Sequence, residues 1–348
     1  MAGMTRRFGK IALGGLAILA GAAVLASCGE RSGSEGERAT GDSPSGGDGR
    51  SYTIGVIAKS QGNAVFQAAR VGAEAAAAEL SREHGVQVTI NWRTPTQEDA
   101  QQQATYVDQL VSGGIDGIAI SASDPNLLRS TINNAVRSGV TVVTFDSDVP
   151  DSDRMAYYGV DDAAAGARVM AELARILDGE GVVAVLAGNQ NATNLQARVR
   201  GVREEAARHE GIRILDVYYH PETANDAVER MRQVQTANPQ ITGWALVGGW
   251  PLYTENALDG IHQNAAVVSM DPLPLPLRYL ERGQVQVLVG QPYYGWGYEA
   301  VKMIFDEIHN DQRPENEIVI AEMDIVTRDN VDEFVGRWER WLQGQGGN

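Results

Sequence analysis

Two apolar runs in the sequence end on aspartate. Val142, Val143, Thr144 and Phe145 lead into Asp146, with Asp148 two residues on, and Val267, Val268, Ser269 and Met270 lead into Asp271. A single aspartate at a strand end serves as a turn former or as the cap of the next helix. A second copy of the arrangement asks for a shared reason. Other apolar runs are also followed by groups that bond or stack: Lys59, Asn63 and Phe66 after "IGVIA", and Asn189, Gln190, Asn191, Asn194 and Arg198 after "VVAVLA". Trp250 follows "GWALV" behind Gly248 and Gly249, and Gln291, Tyr294 and Trp296 follow "VQVLVG". Each has a plainer reading. Lys59 could be a solvated loop lysine, although Lys10 and Lys302 are the only others; Arg198 could be a surface arginine, the amides helix caps, and the aromatics core.

Together these types suit a polyhydroxyl ligand. Every sugar hydroxyl both donates and accepts; aspartate accepts, lysine and arginine donate, and asparagine and glutamine do either. Hydrogen bonds to charged groups contribute about 1.5 to 3 kcal/mol each when buried. Aromatic faces can cover the apolar C–H face of a sugar ring, and paired glycines let the backbone approach closely.

The elements that must position these groups alternate. Strand-length runs recur at residues 52–58, 86–92, 115–121 and 140–145, with helical patterns between them. In "TQEDAQQQATYVDQLV" Ala100, Ala104, Val107 and Val111 share a face, with Thr96 and Asp99 spaced as a capping box. In "SDPNLLRSTINNAV" Pro125 follows the cap candidate Asp124, and Leu128, Ile132 and Ala135 point inward. The pattern restarts at 181–187, 212–219, 243–248 and 265–270. Such alternation predicts an α/β fold of two similar Rossmann-like lobes, parallel sheets flanked by helices. Asp146 and Asp271 then become corresponding strand ends, and facing the carboxyl ends of both sheets makes one cleft.

Residues 1–27 read as an export signal, with Arg6, Arg7 and Lys10 before an apolar run from Ile11 to Leu25. That run is shorter than the roughly 20 residues of a permanent span. Cys28, the only cysteine, follows "LAS", and residues 28–50 are a Gly-, Ser- and charge-rich tether spanning roughly 25 Å. A net charge of −16 disfavours nucleic acid and anionic lipid as ligands.

With those residues assembled, the chain resembles the ribose-type periplasmic sugar-binding proteins, the type I substrate-binding components of ABC transporters, over roughly residues 51–328. "GNAVFQAARVGA" supplies the matching Asn63 and Phe66, "TFDSD" Asp146, "QARVRG" Arg198, "SMDP" Asp271 and "VGQP" Gln291. The pattern departs at Val65, Ser147 and Gly249, where the family carries an aromatic, an arginine and an asparagine. "VIAKSQG", "TPT" and "FDSD" look closer to the branch that binds rhamnose or the furanosyl autoinducer, in which groups at positions like Lys59 and Asp146 touch the ligand. That branch's next acidic and glutamine positions fall near Asn194 and Leu195 without a match. "LASC" is similar to a lipobox, which implies lipidation of Cys28.

The resemblance implies two lobes, 51–160 plus 291–320 and 161–290 plus 321–343, joined by three hinge crossings near 160, 290 and 320. It also implies a monomer that takes a small neutral sugar between Lys59, Asn63, Phe66, Asp146, Arg198, Asp271 and Gln291, a set to which Trp250, behind its two glycines past a strand, is added from its position alone. That monomer would deliver the sugar to permease and ATPase subunits on the extracytoplasmic side, with the lipid as its only membrane contact. An alternative shares every binding feature: a sensor that passes a bound sugar or autoinducer signal to a membrane receptor.

Other classes fit poorly. Two carboxylates across a cleft could process a glycoside, but no Ser-His-Asp pattern or phosphate loop accompanies them. Scattered histidines give no zinc site, and "AKSQGNAVF" lacks the dinucleotide glycines. A repressor of this architecture would need a basic headpiece, and an export signal stands there instead. No enzyme activity, cofactor or metal is expected.

Overall fold

The computed structural model describes residues 49–342. The export signal, Cys28 and nearly all of the tether lie outside the described residues. Along the chain run β1 (Ser51–Ile57), α1 (Val65–His84), β2 (Gln87–Trp92), α2 (Ala100–Ser112), β3 (Gly117–Ile120), α3 (Pro125–Arg137), β4 (Thr141–Phe145) and β5 (Ala156–Gly159). The pattern repeats with α4 (Asp162–Ile176), β6 (Glu180–Ala187), α5 (Thr193–Ala206), β7 (Gly211–Tyr219), α6 (Ala224–Ala237), β8 (Gly243–Leu246), β9 (Ala266–Met270), α7 (Pro274–Glu281) and β10 (Val287–Gly290). Then follow α8 (Tyr293–Asn310), β11 (Ile318–Ile320), β12 (Asp324–Val326) and α9 (Val331–Leu342). None of the described helices is long and apolar enough to cross a membrane.

Two six-stranded sheets result, ordered β2-β1-β3-β4-β5-β11 and β7-β6-β8-β9-β10-β12. All neighbours are parallel except β12, which runs antiparallel to β10. Central strands such as β3, β8 and β10 are buried at every position, the continuous apolar burial that helices on both faces of a parallel sheet demand. The two orders correspond strand for strand, with β4 matching β9. The chain passes between the sheets three times: between Gly159 and Asp162, between Gly290 and Tyr293, and between Ile320 and Asp324.

Asp124 caps α3, accepting from the amides of Asn126 and Leu127, with Leu128, Ile132 and Ala135 buried behind it as their spacing requires. The capping box does not form. Asp99 itself is the cap of α2, accepting from the Gln102 amide, and Leu110 rather than Val111 completes the buried face. Gln103, on that face, donates to the carbonyls of Ala58 and Ser121 and accepts from the Ser123 amide, pinning the ends of β1 and β3 together. The short strands β5, β11 and β12 carry no clear periodicity in sequence; edge pairing creates them.

Helices α4 and α5 pack backbone to backbone. A Cβ on Gly166 would lie 1.9 Å from the Arg198 carbonyl oxygen, and one on Gly201 1.9 Å from that of Ala163. Arg198 is therefore placed by a helix contact that tolerates no side chain. Gly166→Ala should separate the helices and cost about 1 to 3 kcal/mol, read as a melting temperature lower by several degrees; an unchanged melt would contradict this account of the packing.

Candidate ligand-binding site

Asp146 and Asp271 occupy equivalent positions just past β4 and β9. Both are in the left-handed region, φ 58° and 72°, which aspartate tolerates better than most residues. Their backbone amides make matching bonds, Asp146 to the Tyr158 carbonyl and Asp271 to that of Val289. Neither side chain caps a helix; both are buried, 6% and 4% exposed. The strained turn therefore turns each carboxylate into the protein instead of out to water.

A continuous polar chain joins them. The Arg198 guanidinium lies 3.9 Å from Asp146 Oδ1 and donates to Gln291 Oε1 at 2.6 Å, and Gln291 Nε2 donates to Asp271 Oδ1 at 3.0 Å. Arg198 also donates to Asp162 at 2.8 Å and to the Val247 carbonyl at 3.1 Å. Asp162 and Gln291 lie at two of the three passages between the sheets, so one buried cation holds both. Burial pushes the Asp162 carboxyl up to about 6, against the pull of Arg198.

The two aspartates differ in what remains free. Asp146 accepts from Ser121 Oγ at 2.7 Å and Asn194 Nδ2 at 3.1 Å, so about two of its four lone-pair sites stay open. Asp271 accepts from four protein donors: the Gly249 amide and Tyr253 hydroxyl on Oδ2, both at 2.7 Å, and Gln291 and the Tyr293 hydroxyl on Oδ1, at 3.0 and 2.9 Å.

Lys59 is buried just past β1, its Nζ 3.5 Å from Glu222 of the second lobe and 3.9 Å from Glu98 of its own. Asn189 Nδ2 donates across to Glu98 at 3.0 Å, and Thr193 Oγ1 to the Asp148 carbonyl at 3.0 Å. The lobes thus meet, and an open cavity of about 430 Å³ lies at their mouth, lined by Ser60, Glu98, Asn189, Glu222 and Thr223 among others. Burial pushes Glu222 from the ordinary 4.5 up to about 7, Lys59 opposing and Glu98 reinforcing, because two carboxylates share one ammonium.

Between pH 4.5 and 7 the folded protein therefore holds a proton at Glu222 that the unfolded chain has released. The stability this contributes is complete below about 4.5 and is lost as pH rises through about 7. The melting temperature should fall from pH 5 to pH 8 by more in the wild type than in Glu222→Gln; parallel pH profiles would contradict it. Asp162 titrates in the same direction in both proteins, so the comparison isolates Glu222.

Of the other expected residues, Phe66 packs its ring 6.0 Å from that of Trp296. Trp250 opens a single 3-10 turn, Trp250–Tyr253, and is buried with its ring edge on Gly188. Asn63 is buried with Oδ1 accepting from the Val65 amide, and makes no bond to the aspartate chain. Asp148 belongs to a structural pair: Arg154 grips it through two nitrogens and reaches Glu317 with a third. Five buried polar groups beyond strand ends, the Ser123 and Ser147 hydroxyls, His220 Nε2 and the Trp250 and Trp296 indole nitrogens, lack a hydrogen-bond partner among the described residues. The reading from sequence missed Glu98, Asp162, Glu222, Tyr253 and Tyr293. Glu98 and Glu222 follow β2 and β7, so the strand-end rule that picked out Asp146 and Asp271 would have found them had it been applied to every strand.

Residues 54–312 match the model of the periplasmic binding protein domain. The chain belongs to the periplasmic binding protein family. Among curated relatives of this binding protein, the xylitol-binding protein of Mycolicibacterium smegmatis is 26% identical over 161 residues, 45% of each chain. The D-ribose/D-allose-binding protein of Pseudomonas aeruginosa is 26% identical over 192 residues, 53% of this chain and 57% of that one. These matches span about half the length of the curated relatives. An ABC transporter solute-binding protein from Burkholderia graminis, solved with D-arabinose, superposes with a TM-score of 0.74 at 26% identity, covering 81% of this chain and 97% of that one. A sugar-binding protein of a Bacillus halodurans sugar ABC transporter gives 0.71 at 27% identity, covering 81% and 99%. The two-lobed α/β architecture expected from sequence is that of these relatives.

Proposed function

We propose that this protein captures one small neutral sugar or polyol, a pentose, hexose or deoxysugar, in the cleft between its lobes and delivers it to the permease and ATPase subunits of an ABC transporter. It performs no catalysis and works as an extracytoplasmic monomer. The observation that carries this reading is the buried chain Asp146–Arg198–Gln291–Asp271, which offers fixed donors together with open acceptor sites on Asp146. Unpartnered buried groups at the strand ends add to it, since buried polar atoms are normally paired. We take Lys59, Asn63, Phe66, Asp146, Arg198, Trp250, Asp271 and Gln291 as the residues around the ligand, and the three passages between the sheets as hinges that let the lobes, 51–160 plus 291–320 and 161–290 plus 321–343, close on it.

A thermal-shift screen tests the ligand class. A bound ligand at 100 times its dissociation constant adds about 2.7 kcal/mol of stability, so at least one of xylitol, D-ribose, D-allose and D-arabinose should raise the melting temperature. Sugar phosphates should leave it unmoved. A response confined to charged sugars would contradict the neutral class.

Lipidation of Cys28 completes the proposal, with residues 1–27 removed and 28–50 as tether. Cys28→Ser should release the protein from membranes into the soluble fraction. An unmodified leader on the mature protein, found by mass spectrometry, would refute it.

A further inference from the structure

Asp146 and Asp271 share a left-handed turn but are held in it differently. The Asp271 side chain is fixed directly, by the Gly249 amide, Tyr253, Gln291 and Tyr293. That of Asp146 has two donors, Ser121 Oγ at 2.7 Å and Asn194 Nδ2 at 3.1 Å, and Asn194 comes from the other lobe. The direction of the Asp146 carboxylate therefore depends more heavily on the peptide units around it. A non-glycine residue at φ 58° persists only where its neighbours over-determine the backbone.

Strand β5 supplies that constraint from two adjacent residues. The Asp146 amide donates to the Tyr158 carbonyl at 3.1 Å, and the Tyr157 hydroxyl donates to the Asp146 carbonyl at 3.0 Å. Tyr157 is 5% exposed and pairs with Thr144, two residues before Asp146, so its side chain stands alongside the end of β4. The phenol needs Gly159: a Cβ there would lie 2.0 Å from Tyr157 Oη and 2.5 Å from Cζ. Burial, then the charges of Asp162, Asp146 and Asp148, hold the Tyr157 pKa well above the usual tyrosine value, so the phenol keeps the proton it donates. The Asp271 carbonyl is bonded within its own turn instead, by the Leu273 amide at 2.8 Å.

We propose that Tyr157 is a positioning residue of the sugar site: its hydroxyl holds the Asp146 peptide in the left-handed turn and so aims the open acceptor sites of that carboxylate at the ligand. Tyr157 acts through Asp146 and does not itself touch the sugar. The assignment rests on the sugar-capture reading and deepens it by naming what sets the geometry of the first lobe's acceptor. Without the hydroxyl the buried Asp146 carbonyl loses this donor, the turn relaxes, and Ser121 and Asn194 alone direct the carboxylate.

Calorimetric titration of the full chain tests this, with the tightest binder among xylitol, D-ribose, D-allose and D-arabinose as probe. Tyr157→Phe keeps the ring and removes the donor. The probe should bind about 3- to 30-fold more weakly, a coupling of the size found between neighbouring groups. In an Asp146→Asn background the same substitution should cost less than about twofold, because the carboxylate it aims is gone, whereas in an Asp271→Asn background it should keep its full effect. Among monodeoxy analogues of the probe, the one weakened least by Asp146→Asn should also be weakened least by Tyr157→Phe. Unchanged affinity in Tyr157→Phe overturns the assignment. So does a different analogue standing out, or a loss by the same factor in all three backgrounds, which is what a general loosening of the fold would give. If Asp146→Asn also leaves the probe's affinity unchanged, the sugar-capture reading of that residue fails as well; if Asp146→Asn weakens binding while Tyr157→Phe does not, only the role of Tyr157 is lost. Melting temperature serves as the fold control, and each titration runs well below that of the variant used.

Discussion

Asp146→Asn should weaken sugar binding by roughly 30- to 1000-fold, about 2 to 4 kcal/mol, with little change in melting temperature. The two open lone-pair sites on Asp146 are charge-assisted acceptors in a buried wall, and asparagine replaces one acceptor oxygen with a donor that opposes a donating hydroxyl. Ser121 and Asn194 can still bond the remaining groups, so the fold loses little. Calorimetric titration with the best-binding sugar decides it. Wild-type affinity in the variant would leave Asp146 a turn former and no more.

Arg198→Leu should have the largest effect on stability. The guanidinium, 3% exposed, bonds Asp162, the Val247 carbonyl and Gln291 and faces Asp146. Removing one partner from a buried charged network costs about 3 to 5 kcal/mol, which corresponds to a fall of about 10 °C in a protein of this size. The loss should shrink in acid. Asp162 already titrates near 6, and once protonated it no longer needs a cation beside it. A calorimetric melt lowered by less than about 2 °C at pH 8, or by the same amount at pH 5 and pH 8, would contradict this reading of the network.

Much of this fold was legible because parallel strands buried on both faces are continuous apolar runs, and their ends are marked where polarity begins. Asp146 and Asp271 stood out for that reason. The short strands β5, β11 and β12 were not legible: "AYYG", "IVI" and "DIV" gain strand geometry only from an existing sheet edge. The capping box failed for a related reason, since Asp99 outcompetes Thr96 as a cap once the helix start is fixed by Gln103 reaching into the core. In the site, residue types signalled hydrogen bonding but not how the bonds divide. Nothing in "SMDP" reveals that Asp271 is saturated by Tyr253 and Tyr293, from segments 18 and 22 residues away in sequence. Nor does "HPET" reveal that Glu222 meets Lys59 across the cleft.

The most direct measurement is a calorimetric titration of the whole protein with xylitol, D-ribose, D-allose and D-arabinose at pH 7. Capture in a single interlobe cleft predicts saturable binding of at least one of them at one molecule per chain, lost or strongly weakened in Asp146→Asn. Flat titrations with all four, on protein whose melt shows it folded, would contradict the account.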